Sequence, residues 1–220
     1  SRSLRRFAPG LLLFPAIAAF ALGGWAAITV EDLPDHVTAG RPLTLEFTVR
    51  QHGVSPLTGL EPRVEARGRG TPVRTVAAPA GAAGRYRATL TLPEPGDWTV
   101  TIHSGFGNSK VTLLPIAAVA PGTAPAALAE NERGRRLFVA KGCVTCHLHR
   151  AVAGSGTYEV GPELTERPLA PDYLARYLAD PSISPTNRGR GAGAMPDLDL
   201  DQAEIAALVA FLGGNRQASR

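Results

Sequence analysis

The chain changes its hydrophobic rhythm three times. From Phe7 to Val30 an apolar run carries no charge, with Arg2, Arg5 and Arg6 before it and Glu31, Asp32 and Asp35 after it. At 1.5 Å per residue a helix of that length crosses a hydrocarbon core of about 30 Å. The charge asymmetry then predicts a cytoplasmic tail and single transmembrane helix over residues 1–30, with everything beyond on the outer face of a bacterial inner membrane. The same run admits a cleaved signal peptide, Gly24-Trp25-Ala26 offering a small-x-small site, but the retained anchor is the expectation adopted. An anchor of this kind implies a lipid bilayer and neighbouring integral membrane subunits as partners.

Residues 31–114 alternate with a period of two. Leu43, Leu45, Phe47 and Val49 are interleaved with Thr44, Glu46, Thr48 and Arg50, and Tyr86, Ala88, Leu90 and Leu92 with Arg87, Thr89 and Thr91. Trp98, Val100 and Ile102 alternate with Thr99, Thr101 and His103. Proline and glycine punctuate these runs at Gly53, Pro62, Gly70, Pro79, Gly84 and Pro93-Glu94-Pro95-Gly96, which predicts short antiparallel strands in an all-β, immunoglobulin-like sandwich. A Pro/Ala-rich stretch over 115–125 reads as an extended linker that holds the last unit away from the membrane. Residues 126–220 return to helical spacing, with Leu128, Leu137 and Phe138 near their start and Ile205, Leu208, Val209, Phe211 and Leu212 near their end. The fold class expected is multidomain: one transmembrane helix, an all-β sandwich and an all-α C-terminal domain.

Charge adds a topology signal and little else. Of the net +4, residues 1–30 contribute three arginines and no acid, residues 31–125 nine bases against eight acids, and residues 126–220 eleven against eleven. No basic patch for nucleic acid is indicated.

The chemistry is concentrated in Cys143-Val144-Thr145-Cys146-His147, which contains the two cysteines of the chain. Cys-x-x-Cys-His reads as a c-type haem attachment site, with both thiols bonded to the porphyrin and His147 an iron ligand. A thioredoxin-like pair would need a βαβ setting, and a zinc site built on His147 and His149 would lack a second ligand pair. Met195, the single methionine, lies in the Gly-rich stretch Gly189-Arg190-Gly191-Ala192-Gly193-Ala194-Met195-Pro196 and is the candidate for the opposite axial position, where a thioether favours ferrous iron. His149 is too close in sequence to His147 to reach the other face of the ring. His36, His52 and His103 fall in the sandwich, where a copper site is the minor alternative.

With these motifs in view, residues 126–220 resemble a class I cytochrome c. The resemblance implies that Gly134 lets the first and last helices cross closely, and that Gly161-Pro162-Glu163-Leu164 is the loop on the proximal side, with the Pro162 carbonyl accepting from the His147 ring. It also implies that Pro171–Leu178 is the middle helix, with Tyr173, Leu174, Tyr177 and Leu178 toward the haem. Asp201 and Glu204 read as a capping pair for the last helix, which Gly213-Gly214 closes. The stretch from Gly84 to Val100 resembles extracytoplasmic sandwiches of the YtkA/FixH type, associated with oxidase assembly. The function expected is a membrane-anchored, monohaem electron carrier, not an enzyme, holding one covalent haem c through Cys143, Cys146, His147, Pro162 and Met195. Its partners would be redox donor and acceptor proteins of a respiratory or photosynthetic complex. The alternative is an oxidase-assembly or copper-delivery factor whose haem senses redox state.

Overall fold

A computed structural model describes residues 23–154, 157–158, 160–167, 169–187 and 194–213. The first part is mostly β-sheet. One sheet runs in the order β1 (Ala26–Val30), β3 (Pro42–Gln51), β8 (Arg85–Thr91), β7 (Ala78–Pro79), with β4 (Ser55–Pro56) also on β3. The other runs β2 (His36–Thr38), β11 (Ile116–Val119), β9 (Gly96–His103), β5 (Arg63–Arg67), β6 (Val73–Val76), with β10 (Lys110–Thr112) also on β9. Pairs are antiparallel except β2 with β11.

The period-two pattern is what folds this part. Leu45, Phe47, Val49, Val100 and Ile102 are fully buried, with Tyr86 at 1% and Trp98 at 2% exposure, while their sequence neighbours Thr44, Arg87 and Thr89 face water. Burying one such side chain contributes about 1.5–3 kcal/mol, so alternate residues of β3, β8 and β9 fix the register. Tyr86 keeps its polar end satisfied: its hydroxyl donates to the Leu57 carbonyl at 2.9 Å and accepts from the Leu60 amide at 3.2 Å.

Two expectations are corrected here. The segment Phe7–Val30 is not one membrane-crossing helix, because its last residues form β1, paired antiparallel to β3 from Ala26↔Gln51 to Val30↔Phe47. Among the described residues no helix is long and apolar enough to cross a membrane, so neither the single-pass anchor nor the inner-membrane localisation that rested on it is supported. The rest of that segment, residues 7–22, lies outside the described residues. The physical reason is that β1 is buried on both faces. Ala26, Ile28 and Val30 enter the sandwich core, while Ala27 and Thr29 face a cavity in the C-terminal unit. A strand covered on both sides reads as a continuous apolar run, as a membrane helix does. In the stretch expected to be a spacer, Ile116–Val119 is β11, where Ile116 and Ala118 are buried against β9. The bulk of Ile116 outweighs the Pro/Ala bias around it.

The C-terminal unit is a small helical domain of α1 (Glu130–Ala140), α2 (Cys143–Cys146), α3 (Pro171–Ala179), a 3₁₀ turn at Pro181–Ile183 and α4 (Gln202–Gly213). The first helix begins at an extended Ala129, followed by Glu130 and Glu132 in a first turn that suits acidic groups. Pro171 at the start of α3 needs no amide partner there. Asp201 accepts from the Glu204 amide at 2.8 Å, and Glu204 reaches back to the Asp201 amide at 3.3 Å, a capping box at the start of α4. Gly214 lies outside the described residues. Helices α1 and α4 cross at Gly134, where a β-carbon would overlap the Ala207 carbonyl.

The helical unit rests on the sandwich. Arg133 on α1 grips Asp35 through Nε at 3.1 Å and Nη2 at 2.5 Å, and Arg136 donates to the Asp35 carbonyl at 3.3 Å. The Lys141 ammonium donates to the Glu31 carbonyl at 2.5 Å and pairs with Glu204 on α4 at 2.6 Å.

Candidate functional site

The Cys143–His147 segment is set by the way α1 ends. The Lys141 amide donates to the Leu137 carbonyl at 2.8 Å, and Gly142 turns the chain with φ of +79°, a left-handed conformation that glycine adopts without strain. The single turn of α2 follows, and the His147 amide closes it on the Cys143 carbonyl at 2.8 Å. A loop then folds back over the turn: the amides of Thr157, Tyr158 and Gly161 donate to the carbonyls of Val144, Thr145 and Cys146 at 3.4, 3.1 and 3.0 Å. The carbonyls that a short helix leaves without partners are thereby satisfied.

The same loop fixes the imidazole. Nδ1 of His147 lies 2.8 Å from the Pro162 carbonyl oxygen. A carbonyl only accepts, so Nδ1 carries the proton and Nε2 keeps its lone pair for a Lewis acid. Gly161 is required beneath the ring, since a β-carbon there would lie within van der Waals overlap of Nδ1 and 2.9 Å from Nε2. Burial holds the His147 pKa below its usual value, the Pro162 hydrogen bond opposing and the Arg167 charge adding to the effect. Burial also pushes the Cys143 thiol up to about 12 and the Cys146 thiol to about 11. At neutral pH the site holds two protonated thiols and an uncharged imidazole.

Cys143, Cys146, His147, Pro162 and Met195 line one cavity of about 230 Å³. Its walls are apolar: Phe138 of α1, Leu174 and Leu178 of α3, Leu208 and Leu212 of α4. Tyr173 and Tyr177 stack on each other at 5.9 Å at the rim, Tyr173 being 41% exposed, so of the expected α3 face only the two leucines are fully enclosed. Residues 189–193 of the Gly-rich stretch before Met195 lie outside the described residues.

Several residues of the site escaped the sequence reading. Asn187 holds both backbone groups of Met195, its Oδ1 accepting from the amide at 2.7 Å and its Nδ2 donating to the carbonyl at 3.0 Å. Nothing in the spacing singles it out. His149 is buried at 1% exposure between Phe138 and Phe211, with ring centroids 5.7 and 4.4 Å away, and belongs to the α1–α4 crossing. Ala27, Thr29 and Gly53 of the sandwich also line the cavity, a contribution from a unit that the sequence reading kept apart.

The three sandwich histidines do not converge. His36 on β2 and Asp97 on β9 both flank Ala117 of β11, and His103 lies further along β9, about 20 Å away at ~3.3 Å per residue. His52 packs edge-on against Trp25. Among the described residues no group of three or more His, Cys, Asp or Glu side chains is placed to hold a metal ion. A wider groove of about 590 Å³ on the sandwich, between Glu61, Arg74 and His103, gathers no ligating set.

The helical unit, the turn of two cysteines and a histidine, and the cavity beside them are similar in arrangement to a cytochrome c domain. The family model described as cytochrome c oxidase, cbb3-type, subunit III matches residues 129–212 and does not extend to the sandwich. No curated protein matches the chain. Among solved structures, a superoxide reductase (neelaredoxin) from Ignicoccus hospitalis is 20% identical over 42% of this chain and 80% of its own, with a TM-score of 0.28. The ZirS C-terminal domain is 11% identical over 55% of this chain and 85% of its own, with a TM-score of 0.32. Likenesses so slight carry no argument about fold or reaction.

Proposed function

We propose that the chain is a monohaem c-type cytochrome that carries single electrons between protein partners. Cys143 and Cys146 would attach the haem covalently, His147 and Met195 would ligate its iron, and Pro162 would orient the imidazole. What supports this reading is a convergence in one apolar cavity: two thiols, an imidazole whose Nε2 is left with its lone pair, and a thioether held by its backbone. The donor set fits haem iron, being one borderline nitrogen and one soft sulfur with no carboxylate among the described lining residues. Bound there, haem supplies one-electron cycling between ferric and ferrous iron. The chain's own residues hold and shield it. The Pro162 carbonyl fixes the tautomer and plane of His147, Asn187 holds the Met195 loop, and the leucines of α3 and α4 exclude water. With His147 and Met195 both committed to the iron, the group would serve transfer of electrons and not substrate chemistry. The match to a cbb3-type oxidase subunit supports an oxidase as acceptor, with a quinol-oxidising complex or a soluble carrier as donor.

The test has two parts. A pyridine spectrum and a haem stain on the denatured 23.0 kDa chain read covalent attachment, and their absence would end the proposal. Met195→Ala should open the sixth position, lower the reduction potential and admit carbon monoxide to the ferrous protein. An unchanged spectrum and potential would remove Met195 from the axial role.

A further inference from the structure

Two contacts fasten the sandwich to the Cys143–His147 segment, one on each side of it. Ahead of Cys143, the backbones of the two units meet so closely that a β-carbon on Gly142 would lie 2.6 Å from the Ile28 carbonyl oxygen. Beside this contact Lys141, 3% exposed, spans from the Glu31 carbonyl to the Glu204 carboxylate. Beyond His147, Tyr158 stacks on Trp25 with centroids 4.8 Å apart and planes 15° off parallel, while its amide donates to the Thr145 carbonyl. Trp25 is backed in turn by His52 at 5.6 Å. Between the two contacts, Ala27, Thr29 and Gly53 form one wall of the cavity.

We infer that the β-sandwich is a working part of the redox site: β1 and the turn after β3 close the cavity wall, and Trp25 and Lys141 are positioning residues that set the reduction potential. The inference rests on the haem reading above. Its physics is the cost of charge in an apolar site. Oxidation leaves one more positive charge on the iron, which a dry wall disfavours and an open one tolerates, so water exclusion raises the potential. Removing the Trp25 ring frees Tyr158 and the loop over α2, lets water reach the wall, and so lowers the potential. Removing the Lys141 charge leaves the Glu204 carboxylate, 15% exposed, without its partner. An unpaired negative charge beside the cavity favours the oxidised state, and the potential falls again. A module that merely hung from the cytochrome unit would have neither effect.

The experiment uses the full chain loaded with haem, as wild type, Trp25→Ala, Trp25→Phe and Lys141→Met. Covalent haem is quantified by pyridine spectrum, the midpoint potential by spectroelectrochemical titration, and access to the cavity by imidazole binding to the ferric protein. The expected result is full haem content throughout, with the ferrous-to-ferric ratio at a fixed poise falling at least threefold in Trp25→Ala and Lys141→Met. Imidazole should bind Trp25→Ala several times faster, and Trp25→Phe, which keeps a stacking ring, should return most of both effects. Haem-loaded Trp25→Ala with wild-type potential and imidazole kinetics would overturn the inference. Should Lys141→Met not load, the two Trp25 variants decide alone. A wild-type chain without covalent haem would sink the underlying reading instead.

Discussion

Replacing Gly134 with alanine sets two opposing effects against each other, and the structure fixes which wins. Alanine is a better helix former than glycine by about 1 kcal/mol, and Gly134 sits inside α1 with no left-handed φ to object to a side chain, so propensity alone would stabilise. Packing opposes it. The new β-carbon would overlap the Ala207 carbonyl oxygen and lie 2.6 Å from its carbon and 2.8 Å from Phe211 Cβ, where carbon atoms ordinarily stand ~3.5–4.0 Å apart. Two of these neighbours are backbone atoms of α4 and cannot rotate away, so the helices must separate by about 1 Å. A gap of that size forfeits a quarter to a half of each contact across the crossing, which includes Leu137, Phe138, Leu208 and Phe211. Overpacking of this kind costs typically ~1–3 kcal/mol and occasionally more; with backbone as the obstacle we expect about 3, for a net loss near 2 kcal/mol after propensity. Urea unfolding of the loaded protein measures it, read in the visible band and in the near ultraviolet. A variant as stable as the wild type, or more stable, would refute the close crossing on which α1 and α4 depend.

Asp201→Ala removes the side-chain cap from α4 and should lower stability by about 1 kcal/mol in the same unfolding assay, whereas Asp201→Asn should recover most of it. The Arg133 guanidinium beside Asp35 holds its carboxyl below the usual carboxylate range, so the pair's contribution is complete above pH ~4 and is lost as pH falls through the lowered folded-state value. Because both side chains are about one-third exposed, that contribution is at most ~1 kcal/mol. Wild type and Asp35→Asn should therefore differ in unfolding midpoint at pH 6, the difference shrinking as pH falls below ~4; a difference that grew in acid would contradict the sign.

Several elements with one face toward water announced it in their residues. The alternation of Leu43 to Val49 and of Trp98 to Ile102 was legible because the opposite side chains are polar, and the Asp201–Glu204 pair was legible because capping is local. The turn of Cys143 to His147 and the Pro162 loop were found from short motifs. What stayed hidden depends on contacts between distant parts of the chain. Hydropathy cannot tell a strand enclosed on both faces from a helix in lipid, which is how Ala26–Val30 was misread. Ile116–Val119 was obscured by the prolines beside it. The seam between the units rests on isolated residues, Asp35 with Arg133 and Glu31 with Lys141, about a hundred positions apart and with no shared periodicity. Asn187 was invisible because its hold on Met195, eight residues on, follows no periodic pattern.

Strand β1 answers to two interiors at once. A slip of one residue in its pairing with β3 would turn Thr29 into the sandwich and swing Ile28 and Val30 toward the cysteines, damaging both halves of the molecule in a single event. A chain whose first strand is misaligned would therefore also lack a properly shaped pocket beside Cys143 and Cys146.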